Sequence, residues 1–241
     1  MINRFYGKPS GQTFNEIVDQ FSLSGINSVK TSTIPMLNYW KKDKLAIKKL
    51  NEVIPINGSG IDLCFEYPTP SYGSNKASMS DIMLLTERAK ISIECKFTEV
   101  LQEYQNVKEW HNGTDNRSKV ISHWLEILSP FIKQKLEIND IQNIPYQFLH
   151  RAASSCYQNE GNAYLVYQIF FDHQTKMSME NFIKNLEEAF NTLNPSDRFQ
   201  LIFWGIEVTN IEPSANKENI LQLLKERDIY KFESENFKVL N

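Results

Sequence analysis

Two or three acidic residues and one lysine near the middle of this chain are spaced for metal or phosphate chemistry. The run Ile91, Ser92, Ile93, Glu94, Cys95, Lys96, Phe97 alternates apolar with polar side chains, the pattern of a half-buried strand. Alternation puts Glu94 and Lys96 on one face and turns Cys95 to the other with Ile93 and Phe97. A second strand-like run, 79–85, is joined to it by residues 86–90 alone, too short for a parallel crossover, so the two read as an antiparallel hairpin. With the turn centred between Arg88 and Ala89, Asp81 faces Lys96 and Met83 faces Glu94, and Asp81, Glu94 and Lys96 share one face. Carrying the register through the longer loop 68–78 brings Glu66 beside Asp81, although a slip of one residue would turn it away. Carboxylates converging with one ammonium form a hard-oxygen site suited to Mg²⁺, with a cation close enough to hold a water or a phosphate oxygen. On an exposed sheet face the same charges would be ordinary cross-strand ion pairs of little individual energy.

Those side chains need a scaffold. Apolar residues at helical spacing predict helices over 13–21 and 32–50, the second with Pro35 near its start, so the first sixty residues read as mostly helical. After a turn signal at Asn57, Gly58, Ser59 and Gly60, the period changes to that of strands over 61–67, 79–85 and 91–97, a three-stranded meander. Helices follow over 118–135 and 146–156, then a strand over 163–171, a helix over 178–193, a strand over 199–208 and a helix near 217–227. The order is that of an α/β fold with a mixed sheet. No repeat or composition shift divides the chain, so it reads as one domain with a helical part (1–60), a core (61–171) and a C-terminal extension of the sheet (172–241).

Composition narrows the class. The 241 residues are 41% hydrophobic and 23% charged, which suits a globular core and excludes a disordered or fibrous chain. The apolar stretches 163–171 and 199–206 fall well short of the roughly 20 residues that cross a bilayer. No secretory leader is evident, and the expectation is a cytoplasmic protein. Cys64, Cys95 and Cys156 are widely spaced and odd in number, so all three are expected to be reduced. With 26 basic and 29 acidic residues, the net charge of −3 gives no global field for nucleic acid. The basic segment is 30–49, which carries Lys30, Lys41, Lys42, Lys44, Lys48 and Lys49 against Asp43.

Ser80-Asp81, twelve intervening residues, and then Glu94-Cys95-Lys96 at the end of a meander resemble the signature of the PD-(D/E)XK nuclease superfamily. More narrowly, the runs beginning at Phe65, Ala77, Glu94 and Tyr146 resemble a bacterial group classed with restriction endonucleases. The resemblance implies a restriction-endonuclease-like fold: a mixed sheet whose antiparallel three-stranded meander is flanked by helices. It implies a metal-dependent endonuclease that hydrolyses DNA with Mg²⁺, Mn²⁺ being able to substitute, and leaves a 5′-phosphate and a 3′-hydroxyl. Asp81, Glu94 and the backbone carbonyl of Cys95 would be metal ligands, and Lys96 would position the attacking water. The motif's usual proline is Ser80 here, a position that does no chemistry. Glu66, or else Glu16 on the first helix, would supply an accessory acid, and the register favours Glu66. A non-catalytic nucleic-acid or protein binder of the same fold is the rival, and RNA or branched repair substrates are the variant reading. A homodimer is compatible with either.

Gln147, His150 and Arg151 fall on one face of the helix 146–156. Gln147 or Arg151 would either contact the scissile phosphate or anchor that helix to the sheet, and His150 reads as a structural hydrogen-bonding residue. His111, His123 and His173 have no metal spacing. Under the nuclease reading, Lys41, Lys42, Lys48 and Lys49 become a phosphate-holding surface beside the site. No GxGxxG, Walker loop, GxSxG or HExxH motif occurs, so nucleotide cofactors and serine or zinc hydrolysis have no support.

Overall fold

A computed structural model describes residues 2–7, 11–21, 28–56, 60–72, 76–102 and 104–241. The turn signal at 57–59 lies outside the described residues. Strand β1 (Ile2–Tyr6) precedes helices α1 (Phe14–Gln20), α2 (Thr33–Trp40) and α3 (Asp43–Leu50). The meander is β2 (Ile61–Thr69), β3 (Ser78–Leu85) and β4 (Ala89–Lys96), and α4 (Val107–His111), α5 (Asp115–Leu128) and α6 (Tyr146–Cys156) follow it. The chain ends with β5 (Asn162–Phe171), α7 (Lys176–Leu193), β6 (Phe199–Asn210), α8 (Ile220–Glu226) and β7 (Tyr230–Leu240).

The strands form one seven-stranded mixed sheet in sequential order, β1 to β7. Pairs β2–β3, β3–β4 and β6–β7 are antiparallel, and β1–β2, β4–β5 and β5–β6 are parallel. Helices cover both faces, as a sheet with parallel central strands requires. Ile17, Leu37, Trp40, Ile47 and Leu224 pack one face together with Ile82, Ile93 and Cys95. Trp124, Leu149, Phe182 and Phe190 pack the other with Leu165, Tyr167 and Phe203.

Several sequence expectations need correction. The first sixty residues include a strand, β1, whose polar Asn3 and Arg4 mask its pattern. The expected helix 32–50 breaks after Trp40, where Lys42 adopts a non-helical conformation. The helix expected to reach 135 ends at Leu128, and Pro130 follows in a short 3-10 turn. Strand β7 carries no sequence signal, because its Lys, Glu, Ser and Asn side chains are mostly exposed along an edge and lack apolar alternation. The hairpin register is also displaced by two residues. Met83 pairs with Ser92 and Ile82 with Ile93, and the turn closes with the Thr86 N–H donating to the Ala89 carbonyl. A shift of two by itself turns no side chain to the other face, and from Ile82 to Leu85 the expected faces are kept.

Candidate active site

Strand β4 is buried along its length and delivers Glu94 and Lys96 to the α6 side of the sheet, while Cys95 is 1% exposed in the opposite core. The Cys95 thiol lies 3.4 Å from Gln168 Oε1, and burial pushes it well above its usual range. The expected assignment of Cys95 to core packing holds.

Asp81 arrives by a less regular route. Phe65 and Ile82 lie in the core beneath α2, yet Tyr67 packs toward the opposite side with Met83 and Cys64. Ser78 reaches α6, and Ser80 Oγ lies 2.9 Å from Ser92 Oγ. The pleat therefore inverts in both strands, at Glu66 in β2 and Asp81 in β3. Glu66 has φ 51°, a left-handed conformation that a non-glycine residue seldom takes without tertiary reason. The β3–β4 pairing stops at Ile82 and Ile93. Were the ladder to continue, Cys95 would face Ser80; instead its N–H donates to Asp81 Oδ2 at 2.7 Å. Asp81 thus replaces a ladder carbonyl and points into the gap between strands, rather than standing opposite Lys96 as the sequence register required. Glu66 falls where the Phe65–Ile82 and Tyr67–Ser80 pairs bracket it against Asp81, so the favoured accessory acid is in the cluster. Glu16 is not: it is exposed and caps its own helix by accepting from Thr13.

Glu94 is the hub. Its Oε1 accepts from Lys96 Nζ at 2.8 Å and from Gln147 Nε2 at 3.1 Å, and its Oε2 accepts from Arg151 Nε. Gln147 and Arg151, four apart on α6, both reach it. Arg151 also donates through Nη1 to Ser78 Oγ at 2.9 Å, and Ser78 Oγ is 2.8 Å from His150 Nδ1. Burial and the Arg151 charge hold the His150 imidazole neutral, at about 3, so it works as a hydrogen-bonding group. Sequence reasoning missed Ser78, and also Tyr104, whose ring lies 5.7 Å from Lys96 Nζ and whose hydroxyl donates to the Glu99 carbonyl. No sequence pattern links Tyr104 to Lys96, because only the chain's path after β4 brings them together.

The charges are strongly interdependent. Burial alone would raise Glu94, but Arg151 and Lys96 overcome it and hold the carboxyl at about 2. Burial opposes the charge on Lys96 and Glu94 restores it, so the ammonium is held above its ordinary value. Asp81 is raised by burial and then by Glu94, with Arg151 and Lys96 pulling the other way. Glu66 is raised by burial and by Glu94 against the pull of Arg151. Two of the three carboxyls are therefore shifted upward, in the direction a nearby cation would oppose.

The donor set of Asp81, Glu94, Glu66 and the Cys95 carbonyl is all hard oxygen, the chemistry Mg²⁺ selects. Among the described residues, however, no three Asp, Glu, His or Cys side chains are already gathered as ligands. The reason is visible in the geometry: Glu94 is turned onto Lys96 and Arg151, so a metal would have to compete with those pairs.

Of the other sequence candidates, Lys41, Lys42, Lys48 and Lys49 belong to the layer across the sheet, where α2 and α3 pack over Cys95 rather than over Glu94. Lys41 donates to the Leu224 carbonyl, Lys42 pairs with Asp228 at 2.9 Å, and Lys49 pairs with Glu52 at 3.2 Å. The structure does not bring them beside the cluster. Among the described residues no helix is long and apolar enough to cross a membrane.

A protein-family model described as a domain of unknown function, DUF6946, matches residues 17–208. The chain belongs to that family, and the match spans Glu66, Asp81, Glu94, Lys96, Gln147 and Arg151. No curated protein and no solved structure matches it.

Proposed function

We propose that this chain is a metal-dependent endonuclease of the restriction-endonuclease-like fold that hydrolyses DNA phosphodiester bonds, with Mg²⁺ as cofactor. The observation that carries the reading is the hydrogen bond from the Cys95 N–H to the Asp81 carboxylate. It sets the acid of one meander strand against the Glu94, Cys95, Lys96 end of the next, so that two carboxylates and a buried ammonium meet where the β3–β4 ladder stops. Asp81, Glu94 and the Cys95 carbonyl are the groups that would hold the metal, with Glu66 at its side. When bound, the cation would supply stabilisation of the charge developing on the scissile phosphate. Lys96 would hold the attacking water, and Gln147 and Arg151 would donate to phosphate oxygens.

The test is direct: supercoiled plasmid is incubated with the protein in Mg²⁺, Mn²⁺ or EDTA, alongside Glu94→Ala. Metal-dependent nicking or linearisation that disappears in the variant supports the reading. Intact plasmid, with single-stranded DNA, RNA and branched substrates equally uncut, overturns it.

A second reading rests on one observation, that Glu94 is only 2% exposed and both its oxygens are already paired. On that reading the cluster pins α6 to the sheet, and the chain is a non-catalytic binder of nucleic acid or protein.

A further inference from the structure

Beside Arg151 lies a cavity of about 490 Å³ between the start of β3 and helices α4, α5 and α6, within the size range of small-molecule sites. Its charged lining is Lys76, Arg117 and Arg151, and no carboxylate lines it among the described residues. The charged side chains on the lining are thus all cationic, with Arg151 also paired to Glu94 behind the wall. Its apolar lining is mainly aromatic. Trp110 and Tyr146 stack face to face with centroids 3.7 Å apart, Arg117 sits 5.1 Å from the Trp110 ring, and Trp124 and His150 continue the wall. The Arg117 guanidinium also donates to the Trp110 carbonyl, which fixes its position while leaving further N–H groups for a ligand.

Flat aromatic surface combined with cationic forks is what a nucleotide needs, the rings for its base and the guanidinium groups for its phosphate. We propose that this cavity receives one unpaired nucleotide of the substrate strand, its base against the Trp110–Tyr146 wall and its phosphate between Arg117 and Arg151. The inference deepens the nuclease reading and rests on it for the word substrate. Arg151 is the link, since the residue that lines the cavity also holds Glu94. The expected preference is for single-stranded or locally opened DNA, because a base held in a stacked duplex cannot enter.

Anisotropy of a short fluorescein-labelled single strand, measured in EDTA so that no cleavage intervenes, tests the site. Trp110→Leu should weaken binding by about tenfold, the scale of losing one aromatic contact with a base together with the ring over which Arg117 is held, and Trp110→Phe should restore most of it. Arg117→Gln should weaken binding and reduce its salt dependence. Equal affinities for wild type, Trp110→Leu and Arg117→Gln, all melting normally, overturn the proposal. If Trp110→Leu does not fold, the Trp110→Phe and Arg117→Gln pair decides, because Arg117→Gln alone must lose affinity. Thymidine monophosphate competing as well as the oligonucleotide would assign the cavity to a free nucleotide and overturn the strand assignment. The plasmid assay separates the two ideas. Cleavage with Trp110-independent binding sinks the cavity proposal alone, and Trp110-dependent binding without cleavage sinks the nuclease reading alone.

Discussion

Replacing Glu94 by Gln tests the electrostatic logic of the cluster. In the folded chain the Glu94 carboxyl sits at about 2 rather than its ordinary 4.5, a factor of a few hundred, or roughly 3 kcal/mol of stability when the group is ionised. The substitution also strands Lys96 and Arg151, 5% and 8% exposed, and removing one partner of a buried pair costs about 3–5 kcal/mol. At neutral pH the variant should therefore be less stable by about 3–5 kcal/mol, a fall in melting temperature of at least about 6 °C for a chain of this size. The sign with pH follows from the depressed value. Glu94 contributes its stability above 4.5, and the contribution is lost as pH falls toward 2. Asp81 and Glu66 run the other way, because their folded values are raised: their contribution is present in acid and lost as pH rises. The difference between wild type and variant isolates Glu94 from that opposing trend. Urea titrations followed by tryptophan fluorescence, from neutral pH to about pH 3, should show this difference shrinking below about pH 4.5. A difference under about 1 kcal/mol at neutral pH, the value of an exposed pair, or one that stays constant into acid, would refute the argument.

Lys96→Ala should lower any metal-dependent cleavage by on the order of a hundredfold or more with little change in DNA affinity, since it removes a transition-state contact; comparing single-turnover rates with anisotropy separates the two. Mg²⁺ or Mn²⁺ should raise the melting temperature in proportion to the logarithm of its concentration, and Asp81→Asn with Glu94→Gln should abolish the shift; a shift that survives puts the metal elsewhere. All three thiols are buried, so a disulfide reagent should label none in the native protein and all three in denaturant. Gly161→Ala should lower stability by about 1–3 kcal/mol, because a Cβ there would lie 2.2 Å from the Arg88 carbonyl oxygen; a calorimetric scan checks it.

Local periodicity decided a good deal of this protein. The alternation through Ile91, Glu94, Cys95 and Lys96 is a property of an extended strand wherever it is placed, so the separation of Cys95 from its two charged neighbours was legible before any fold was known. The same holds for α6, whose helical period predicts the observed limits, Tyr146–Cys156. The meander was legible because short connections leave a chain few ways to return. Edge strands were not, since β1 and β7 draw their stability from pairing and carry little apolar signal of their own.

The cluster itself belonged to the tertiary structure. The left-handed turn at Glu66 and the matching irregularity at Asp81 arise from two strands distorting together, and no single-strand pattern encodes that. Ionisation was likewise decided in three dimensions. Gln147 and Arg151 lie more than fifty residues from Glu94 in the chain, and a carboxyl's preference for its proton depends on which cations stand within a few ångströms in a dry interior. Sequence spacing could name Asp81, Glu94 and Lys96 as partners. Only the tertiary packing determined that Glu94 is committed to two cations while burial and Glu94 shift Asp81 upward, and that Lys41, Lys42, Lys48 and Lys49 lie on the far side.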